Sequence, residues 1–152
     1  MEYWSLIVVS RGATGVNIYS DAIKQAKRVY VCGNGGSAST ANHFVNDLVH
    51  RCGVRAYSLC SNEALFTAIA NDEGYRSVFL DQLKVYAESG DLVISISTSG
   101  RSQNIIEVKE YCRGLGLAHM EFPIYGIGPG ASEDQHLSLA HHICNELSEW
   151  QH

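Results

Sequence analysis

Short apolar runs alternate along this sequence with longer stretches of helical periodicity, and this alternation limits the fold more than any other feature. Residues 91–96 form the clearest run, which is continuous and apolar enough to be a strand buried on both faces. Residues 29–32 form a second run, and a turn rich in glycine or serine follows each of them before a helical pattern begins. Strands and helices in this order predict an α/β fold with a mainly parallel sheet.

The remaining elements follow from the same periodicities. The predicted helices are 37–50, 62–70 with Asn62 as its cap, 78–87 closed by Gly90, 103–112 and 132–150, and residues 21–27 form the end of an earlier one. Further strands are predicted over 56–60 and 121–125. The apolar run at 6–9 fits a strand or a helix equally well.

Length and charge narrow the functional classes. A chain of 152 residues is expected to form one domain, since two halves would each lack a sizeable core. It carries 11 basic and 16 acidic residues, and a net charge of −5 without a basic block disfavours binding to nucleic acid or to a membrane surface. No signal peptide and no apolar stretch of the roughly 20 residues that span a bilayer is evident, so we expect a cytoplasmic protein.

The cysteines point to the same compartment. There are five, without a C-x-x-C pair or regular spacing: Cys32, Cys52, Cys60, Cys112 and Cys144. Secreted disulfide scaffolds and zinc fingers both rely on paired cysteines. We therefore expect buried, reduced thiols.

A glycine-rich turn after the strand at 29–32 is the first candidate binding site. It has the sequence Gly33-Asn34-Gly35-Gly36-Ser37, in which Ser37 can cap the next helix and bind a ligand. Parallel sheets bind ligands at the carboxyl ends of their strands, where helix N-termini offer N–H groups to anions. An ordinary tight turn is the alternative.

A dinucleotide site at the same turn fits less well. The turn matches the G-x-G-x-x-G/A pattern through Ala38. The end of the next predicted strand, Leu59-Cys60-Ser61, lacks the acidic residue that binds the ribose. A P-loop would need a lysine after the glycines, and none follows. No nucleotide cofactor is therefore expected.

A serine-rich turn after the strand at 91–96 is the second candidate. It has the sequence Ser97-Thr98-Ser99-Gly100-Arg101-Ser102 and leads into a predicted helix. Hydroxyl groups and backbone donors at a helix N-terminus suit a phosphate monoester. The two turns together predict a small phosphorylated ligand that lies across the ends of two strands.

Two pairs of side chains could supply acid–base chemistry. His43 and Asp47 are four residues apart, and Glu133 and His141 are eight apart, so each pair is expected on one face of its helix. Such a set can transfer protons, or it can hold a divalent metal through nitrogen and oxygen. A single histidine can equally be a surface or capping residue, which is the role expected for His136, His142 and His152.

In order along the chain, these motifs resemble the sugar isomerase (SIS) domain family, and most closely the phosphoheptose isomerases within it. The resemblance extends from about residue 26 to residue 147. It rests on Gly33-Asn34-Gly35-Gly36-Ser37, His43-Phe44, Asn71-Asp72, Ser97-Thr98-Ser99-Gly100-x-Ser102, Glu133-Asp134-x-His136 and His141. It implies a flavodoxin-like αβα sandwich, a homotetramer or smaller oligomer, and active sites at subunit boundaries.

The resemblance also implies roles for individual residues. The sugar phosphate would be held by Ser97, Thr98, Ser99 and Ser102, and the sugar chain would be lined by Asn34, Gly35, Gly36, Asn71 and Asp72. Asp47 occupies the position of the catalytic glutamate and His141 that of the catalytic histidine, which together isomerise an aldose and a ketose through an enediol. Some members bind zinc at positions that match His43, Asp47, Glu133 and His141.

The chain departs from the family pattern in four places. Asp47 is one methylene shorter than the usual glutamate, and Glu133 stands where glutamine is usual, which adds negative charge. The N-terminal segment, about 1–27, is short for the family, whose N-terminal helices help to assemble the tetramer. The segment 116–133 is too short for the family's further strand, turn and helix, so we expect the sheet to be one strand short.

The resulting hypothesis is an isomerase that converts sedoheptulose 7-phosphate to D-glycero-D-manno-heptose 7-phosphate for lipopolysaccharide or capsule synthesis. Asp47 would be its base and His141 its acid. The alternative is a non-catalytic SIS module that binds a sugar phosphate or a protein partner, as in the DnaA initiator-associating type. A metal-dependent hydrolase that uses the His–carboxylate set is a third hypothesis, but no nucleophile arrangement supports it.

Overall fold

The structure is a computed structural model that describes residues 16–149. Its helices are α1 (Val16–Gln25), α2 (Gly36–His50), α3 (Glu63–Asp72), α4 (Leu80–Tyr86), α5 (Gln103–Leu115) and α6 (Pro129–Glu149), and a 3₁₀ turn covers Tyr75–Ser77. Its strands are β1 (Val29–Gly33), β2 (Ala56–Ser58), β3 (Leu92–Ile96) and β4 (Ala118–Glu121). Among these helices none combines the length and the apolar character needed to cross a bilayer.

The four strands form one parallel sheet in the order β2-β1-β3-β4. Strands β1 and β3 are buried along their whole length, as their continuous apolar sequences require. A flavodoxin-like sheet has five strands in the order 2-1-3-4-5, so the described part of this chain has the first four. The predicted α/β fold with a parallel sheet is therefore confirmed.

The helices cover the sheet in two layers. On one face, Tyr19 of α1, Phe44 of α2 and Ile143 of α6 pack against alternate strand residues such as Ile94. On the other face, α4 and α5 pack against the intervening strand residues, with α3 partly buried beside them. This three-layer arrangement leaves the carboxyl ends of β1 and β3 side by side, since Gly33 is the register partner of Ile96.

Two strand predictions need correction. The last strand is Ala118–Glu121 rather than 121–125, because Pro123 has no N–H to donate and glycines with positive φ follow at 126 and 128. The predicted strand 56–60 ends at Ser58, whose Oγ accepts a hydrogen bond from the Cys60 amide at 3.1 Å and turns the chain.

The predicted helix 78–87 is also different. A 3₁₀ turn precedes it, and α4 begins at Leu80 and ends at Tyr86, after which Ala87 is extended. Gly90 does not close this helix. Its carbonyl accepts a hydrogen bond from the Lys27 amide at 2.9 Å, and its φ of 94° turns the chain into β3.

His136 lies in the core rather than at the surface or at a cap. Its Nε2 is 2.8 Å from the carbonyl oxygen of Pro123, and because a carbonyl can only accept, Nε2 carries the proton. Its ring packs against Phe122 and Tyr125. His142 is exposed and bonds the Ser138 carbonyl, as a surface residue does, whereas residues 6–9 and His152 lie outside the described part of the chain.

The cysteines agree with the prediction of buried thiols. All five are thiols rather than disulfides, and four are buried, with Cys60 partly so. Burial raises the pKa of the Cys112 thiol to about 12 and that of Cys32 further still. These thiols are therefore protonated and poorly reactive at neutral pH.

His119 is expected to make stability depend on pH. Its Nε2 is 2.9 Å from Ser95 Oγ, and burial lowers its pKa to about 4 from the model-peptide value of 6.5. The unfolded chain therefore binds a proton more readily than the folded protein below pH 6.5. Lowering the pH from 7.5 to 5 should reduce the free energy of unfolding by about 2 kcal/mol.

Urea unfolding at both pH values measures this loss. His119→Gln keeps a hydrogen-bonding side chain without titrating, so its stability should lose less over the same interval. His142→Gln, which replaces an exposed histidine, should behave like the original protein. Equal pH dependence in His119→Gln and the original protein would assign the effect to other groups.

Candidate active site

The glycine-rich and serine-rich turns begin next to each other at the carboxyl ends of β1 and β3. The close approach requires glycine at position 33. A Cβ at Gly33 would lie 2.7 Å from the carbonyl oxygen of Ser37 and 2.9 Å from that of Ile96. A side chain here would therefore push the two turns apart.

The glycine-rich turn leads into α2 one residue earlier than predicted. Gly35, with a φ of 56°, occupies the N-cap position, so Ser37 is not the cap and is instead buried in the first turn. A Cβ at Gly36 would collide with the carboxyl group of Glu133 from α6, so that side chain would have to move to admit one. A carboxylate at this position is favoured by the positive end of the α2 dipole.

An amide pair joins the first turn to α5. Asn34 Nδ2 donates to Asn104 Oδ1 at 2.9 Å, and Asn104 Nδ2 donates back to Asn34 Oδ1 at 2.8 Å. The hydroxyl of Tyr75 also donates to Asn34 Oδ1, at 2.9 Å. These contacts fix the Asn34 side chain between the two turns.

The serine-rich turn holds its hydroxyl groups close to backbone amides. Ser97 Oγ accepts from the Gly100 amide at 2.9 Å, and Ser99 Oγ accepts from the Arg101 amide at 3.3 Å. Ser102 is the N-cap residue of α5, but its side chain makes no capping hydrogen bond. Because these hydroxyls act as acceptors or are not used in capping, their protons can be donated to an anion.

The pair Asn71 and Asp72 lies at the exposed end of α3. Asn71 Nδ2 donates to Asp72 Oδ1 at 2.7 Å. Tyr75 begins the 3₁₀ turn that follows, and its bond to Asn34 connects this segment to the glycine-rich turn.

The predicted pair of His43 and Asp47 on α2 lies beside His141 of α6. His43 Nε2 lies 2.9 Å from His141 Nε2, so one imidazole donates to the other. The same His43 nitrogen lies 3.5 Å from Asp47 Oδ2. Asp47 is only 7% exposed, whereas His43 reaches solvent. A buried carboxylate and two imidazoles thus form one cluster.

Arg51 is a site residue that the sequence analysis missed. Its Nη1 lies 3.3 Å from Asp47 Oδ2, and its Nη2 donates to Asn145 Oδ1 at 2.7 Å. Arg51 compensates the charge of Asp47 and fixes its orientation. The regular spacing of four residues from His43 to Asp47 to Arg51 was a signal that could have found it.

The sequence profile of the SIS domain matches residues 13–120 of the chain. The chain belongs to the SIS domain family. The resemblance inferred from the motifs is thereby confirmed.

Several relatives of this SIS domain are phosphoheptose isomerases. The one from Campylobacter concisus is 32% identical over 153 aligned residues, which cover 86% of this chain and 80% of that protein. The one from Helicobacter pylori strain P12 is 38% identical over 107 residues, which cover 67% of this chain but only 56% of that protein. The structure of the Neisseria gonorrhoeae enzyme matches with a TM-score of 0.78 at 25% identity, over 87% of this chain and 84% of that one.

These relatives place the SIS domain among the aldose–ketose isomerases that act on sugar phosphates.

Three of the four predicted metal ligands are suitably arranged. One ligand atom each from His43, Asp47 and His141 lies within 4.8 Å of the other two. Two imidazole nitrogens and a carboxylate oxygen are a donor set that zinc accepts. Glu133 does not belong to this group, because its carboxyl group lies against Gly36. The cluster therefore fits a metal with three protein ligands.

Proposed function

We propose that this SIS domain interconverts sedoheptulose 7-phosphate and D-glycero-D-manno-heptose 7-phosphate. The observation that carries the proposal is the cluster of His43, Asp47 and His141, which joins a sheltered carboxylate to imidazoles from two helices. The relatives named phosphoheptose isomerase support the choice of substrate.

In the proposed reaction, Asp47 is the base and His141 is the acid. The Asp47 carboxylate removes a proton from the carbon beside the carbonyl, and His141 protonates the carbonyl oxygen to give an enediol. Asp47 then returns the proton to the former carbonyl carbon while the other enediol hydroxyl gives its proton to His141, which completes the isomerisation and restores both groups. Arg51 holds the carboxylate in place, because it bonds both Asp47 and Asn145.

The two turns would bind the substrate. In the proposal, Ser97, Thr98, Ser99 and Ser102 hold the phosphate at the N-terminus of α5, where backbone amides and the helix dipole favour an anion. The sugar chain would lie along Asn34, Gly35, Gly36, Ser37, Asn71 and Asp72. Hydrogen bonds from Asn34 to Asn104 and Tyr75 support this placement of the sugar chain.

Zinc is the metal that we propose for the cluster. His43, Asp47 and His141 would hold it, and Glu133 would need to leave Gly36 to become a fourth ligand. When bound, such an ion supplies a Lewis acid that polarises a carbonyl or hydroxyl oxygen. Asp47 would then have to divide its two oxygens between the metal and the reacting proton.

Removing two hydroxyls from the serine-rich turn should weaken substrate binding. Ser99→Ala combined with Ser102→Ala is expected to raise KM roughly 10²-fold, because hydrogen bonds to a charged group are each worth about 1.5–3 kcal/mol. Steady-state kinetics measures the change. Ser138→Ala on the exposed side of α6 is the control. An unchanged KM in the double variant would mean that the phosphate binds elsewhere.

A non-catalytic binding module is the second candidate function. The short side chain of Asp47, tied to Arg51, favours it, because a base displaced by 1 Å can lose on the order of 10² in rate. Such a module would still bind a sugar phosphate through its turns.

We also propose that the protein is cytoplasmic and forms a homo-oligomer, either a dimer or a tetramer. Exposed Tyr57, Val85 and Tyr86 line one groove of about 750 Å³ beside β2, and apolar surface of this kind supports self-association. The role of residues 1–27 in assembly stays a prediction, and the described part of that segment, α1, packs against α6 of its own chain. Sedimentation equilibrium measures the oligomer size.

Incubation with sedoheptulose 7-phosphate tests the proposed activity. Phosphorus NMR should show a second heptose phosphate that grows to a constant ratio. Fructose 6-phosphate serves to test chain length and unphosphorylated sedoheptulose to test the phosphate requirement. Turnover of fructose 6-phosphate but not of sedoheptulose 7-phosphate would mean that the substrate is a hexose phosphate. Binding of sedoheptulose 7-phosphate without turnover would favour the non-catalytic binding module.

A further inference from the structure

Protein groups already use most of the hydrogen-bonding capacity of the Asn34 side chain. An asparagine side chain has two N–H donors and an oxygen with two acceptor sites. Asn34 Oδ1 accepts from Asn104 Nδ2 at 2.8 Å and from the Tyr75 hydroxyl at 2.9 Å, which fills both sites. Asn34 Nδ2 donates one hydrogen to Asn104 Oδ1 at 2.9 Å. Its second N–H has no acceptor among residues 16–149.

Asn104 holds its side of this network rigidly. It is buried in the first turn of α5, and it both donates to and accepts from Asn34. If one of the two amides rotated by 180° alone, nitrogen would face nitrogen and oxygen would face oxygen. Such a rotation would lose both hydrogen bonds in a place that water does not reach, which is costly.

The Tyr75 hydroxyl distinguishes the two orientations that remain. Rotating both amides together would restore the reciprocal pair, but Tyr75 would then face Asn34 Nδ2 instead of Oδ1. In the orientation that the structure shows, the hydroxyl donates to Oδ1. This orientation leaves an N–H of Asn34, and no acceptor site, available to a ligand.

Aromatic packing holds the Tyr75 ring in place. The ring lies edge-on to Phe66 at a centroid distance of 5.8 Å, and Phe66 lies edge-on to Phe79, which is fully buried. The hydroxyl is protonated at neutral pH, because burial raises its pKa above the usual value of 10. Tyr75 is therefore a fixed donor at the surface of the molecule.

The network lies where the glycine-rich and serine-rich turns meet. Asn34 is the second residue of the glycine-rich turn, and Asn104 follows Ser102, the N-cap residue of α5, by two positions. The proposed function places the sugar phosphate across these two turns. A carbonyl, hydroxyl or phosphate oxygen can accept from the remaining N–H, whereas an ammonium group cannot.

We propose that Tyr75 is a positioning residue for the sugar phosphate. By occupying the second acceptor site of Asn34 Oδ1, it makes Asn34 a group that only donates, and Asn34 then selects a ligand with an accepting oxygen at this point. The identity of the ligand rests on the proposed function, whereas the arrangement of the three side chains does not. A sugar phosphate that places an ammonium group here would bind less well, because Asn34 offers it no acceptor.

Tyr75→Phe tests the proposal through kinetics with sedoheptulose 7-phosphate. The substitution removes the hydroxyl and keeps the ring against Phe66. We expect KM to rise roughly tenfold, because Asn34 is no longer held as a donor, while kcat changes less than about twofold. Tyr111→Phe removes a hydroxyl from α5 outside the network and should change neither constant. Normal turnover with an unchanged KM in Tyr75→Phe would overturn the proposal and leave the isomerase intact.

NMR of the Asn34 side-chain amide gives a readout that does not depend on turnover. In the full chain labelled with nitrogen-15, adding sedoheptulose 7-phosphate should shift the Asn34 Nδ2 signals, and Tyr75→Phe should need a roughly tenfold higher concentration for the same shift. This result without any turnover would refute the isomerase and support the positioning role. Asn34 signals that do not respond to sedoheptulose 7-phosphate in the original protein would overturn the proposal, whether or not the sugar is turned over.

Discussion

Replacing His141 by alanine is expected to abolish isomerisation while the protein stays folded. His141 is the proposed acid, and a general acid or base contributes roughly 10²–10⁴-fold to the rate. The His141 side chain is only partly buried between α6 and α2, where its Nε2 lies 2.9 Å from Nε2 of His43. Its removal should therefore lower kcat by that factor without a large loss of stability. Steady-state kinetics together with thermal unfolding measures both effects.

His142→Ala is the matched control, because it removes the neighbouring histidine from the same helix. His142 is exposed and bonds only the carbonyl of Ser138 among the contacts described for it. We expect its kcat to equal that of the original protein. Normal turnover by His141→Ala would remove His141 from the mechanism and would require another acid.

Changing Asp47 to asparagine is expected to have an effect of the same size. The amide cannot accept the substrate proton, so kcat should fall roughly 10²–10⁴-fold. It also leaves the charge of Arg51 without its carboxylate partner, so some stability should be lost as well. Comparing kcat with the unfolding temperature separates the two consequences.

Asp47→Glu provides the informative comparison, since it restores the side-chain length usual in the family. We expect preserved or higher activity, because the longer side chain brings the carboxylate closer to the substrate. Asp21→Asn removes an exposed carboxylate of α1 and is therefore the control for the loss of charge in Asp47→Asn. An Asp47→Glu variant that folds but is inactive would mean that the site has been rebuilt around the shorter acid.

The order of elements and the position of the two turns could be predicted because their signals are local. The apolar runs that became β1 and β3 are buried along their whole length, and a parallel sheet places their carboxyl ends together. The i,i+4 spacing of His43 and Asp47 is a property of one helix. Their contact with His141 followed only because the family resemblance supplied the link between α2 and α6.

The burial and contacts of some side chains could not be predicted, because residues far away in the sequence determine them. His136 is buried because the segment after β4 folds over it and Pro123 supplies the acceptor. Tyr75 reaches Asn34 across 41 positions of sequence, and no local pattern indicates that bond. The family resemblance implies Glu133 as a metal ligand, whereas in the structure its carboxyl group lies against Gly36 of α2, a contact that no local pattern indicates.

Deuterium uptake tests the isomerase proposal most directly. The purified protein is mixed with sedoheptulose 7-phosphate in deuterated buffer, with added zinc in one sample and a chelator in another, and followed by proton NMR. We expect loss of the proton signal beside the carbonyl and the appearance of an aldose phosphate, faster with zinc. Ligand-induced shifts without any exchange in either sample would contradict the proposed isomerase and leave a sugar-phosphate binding module.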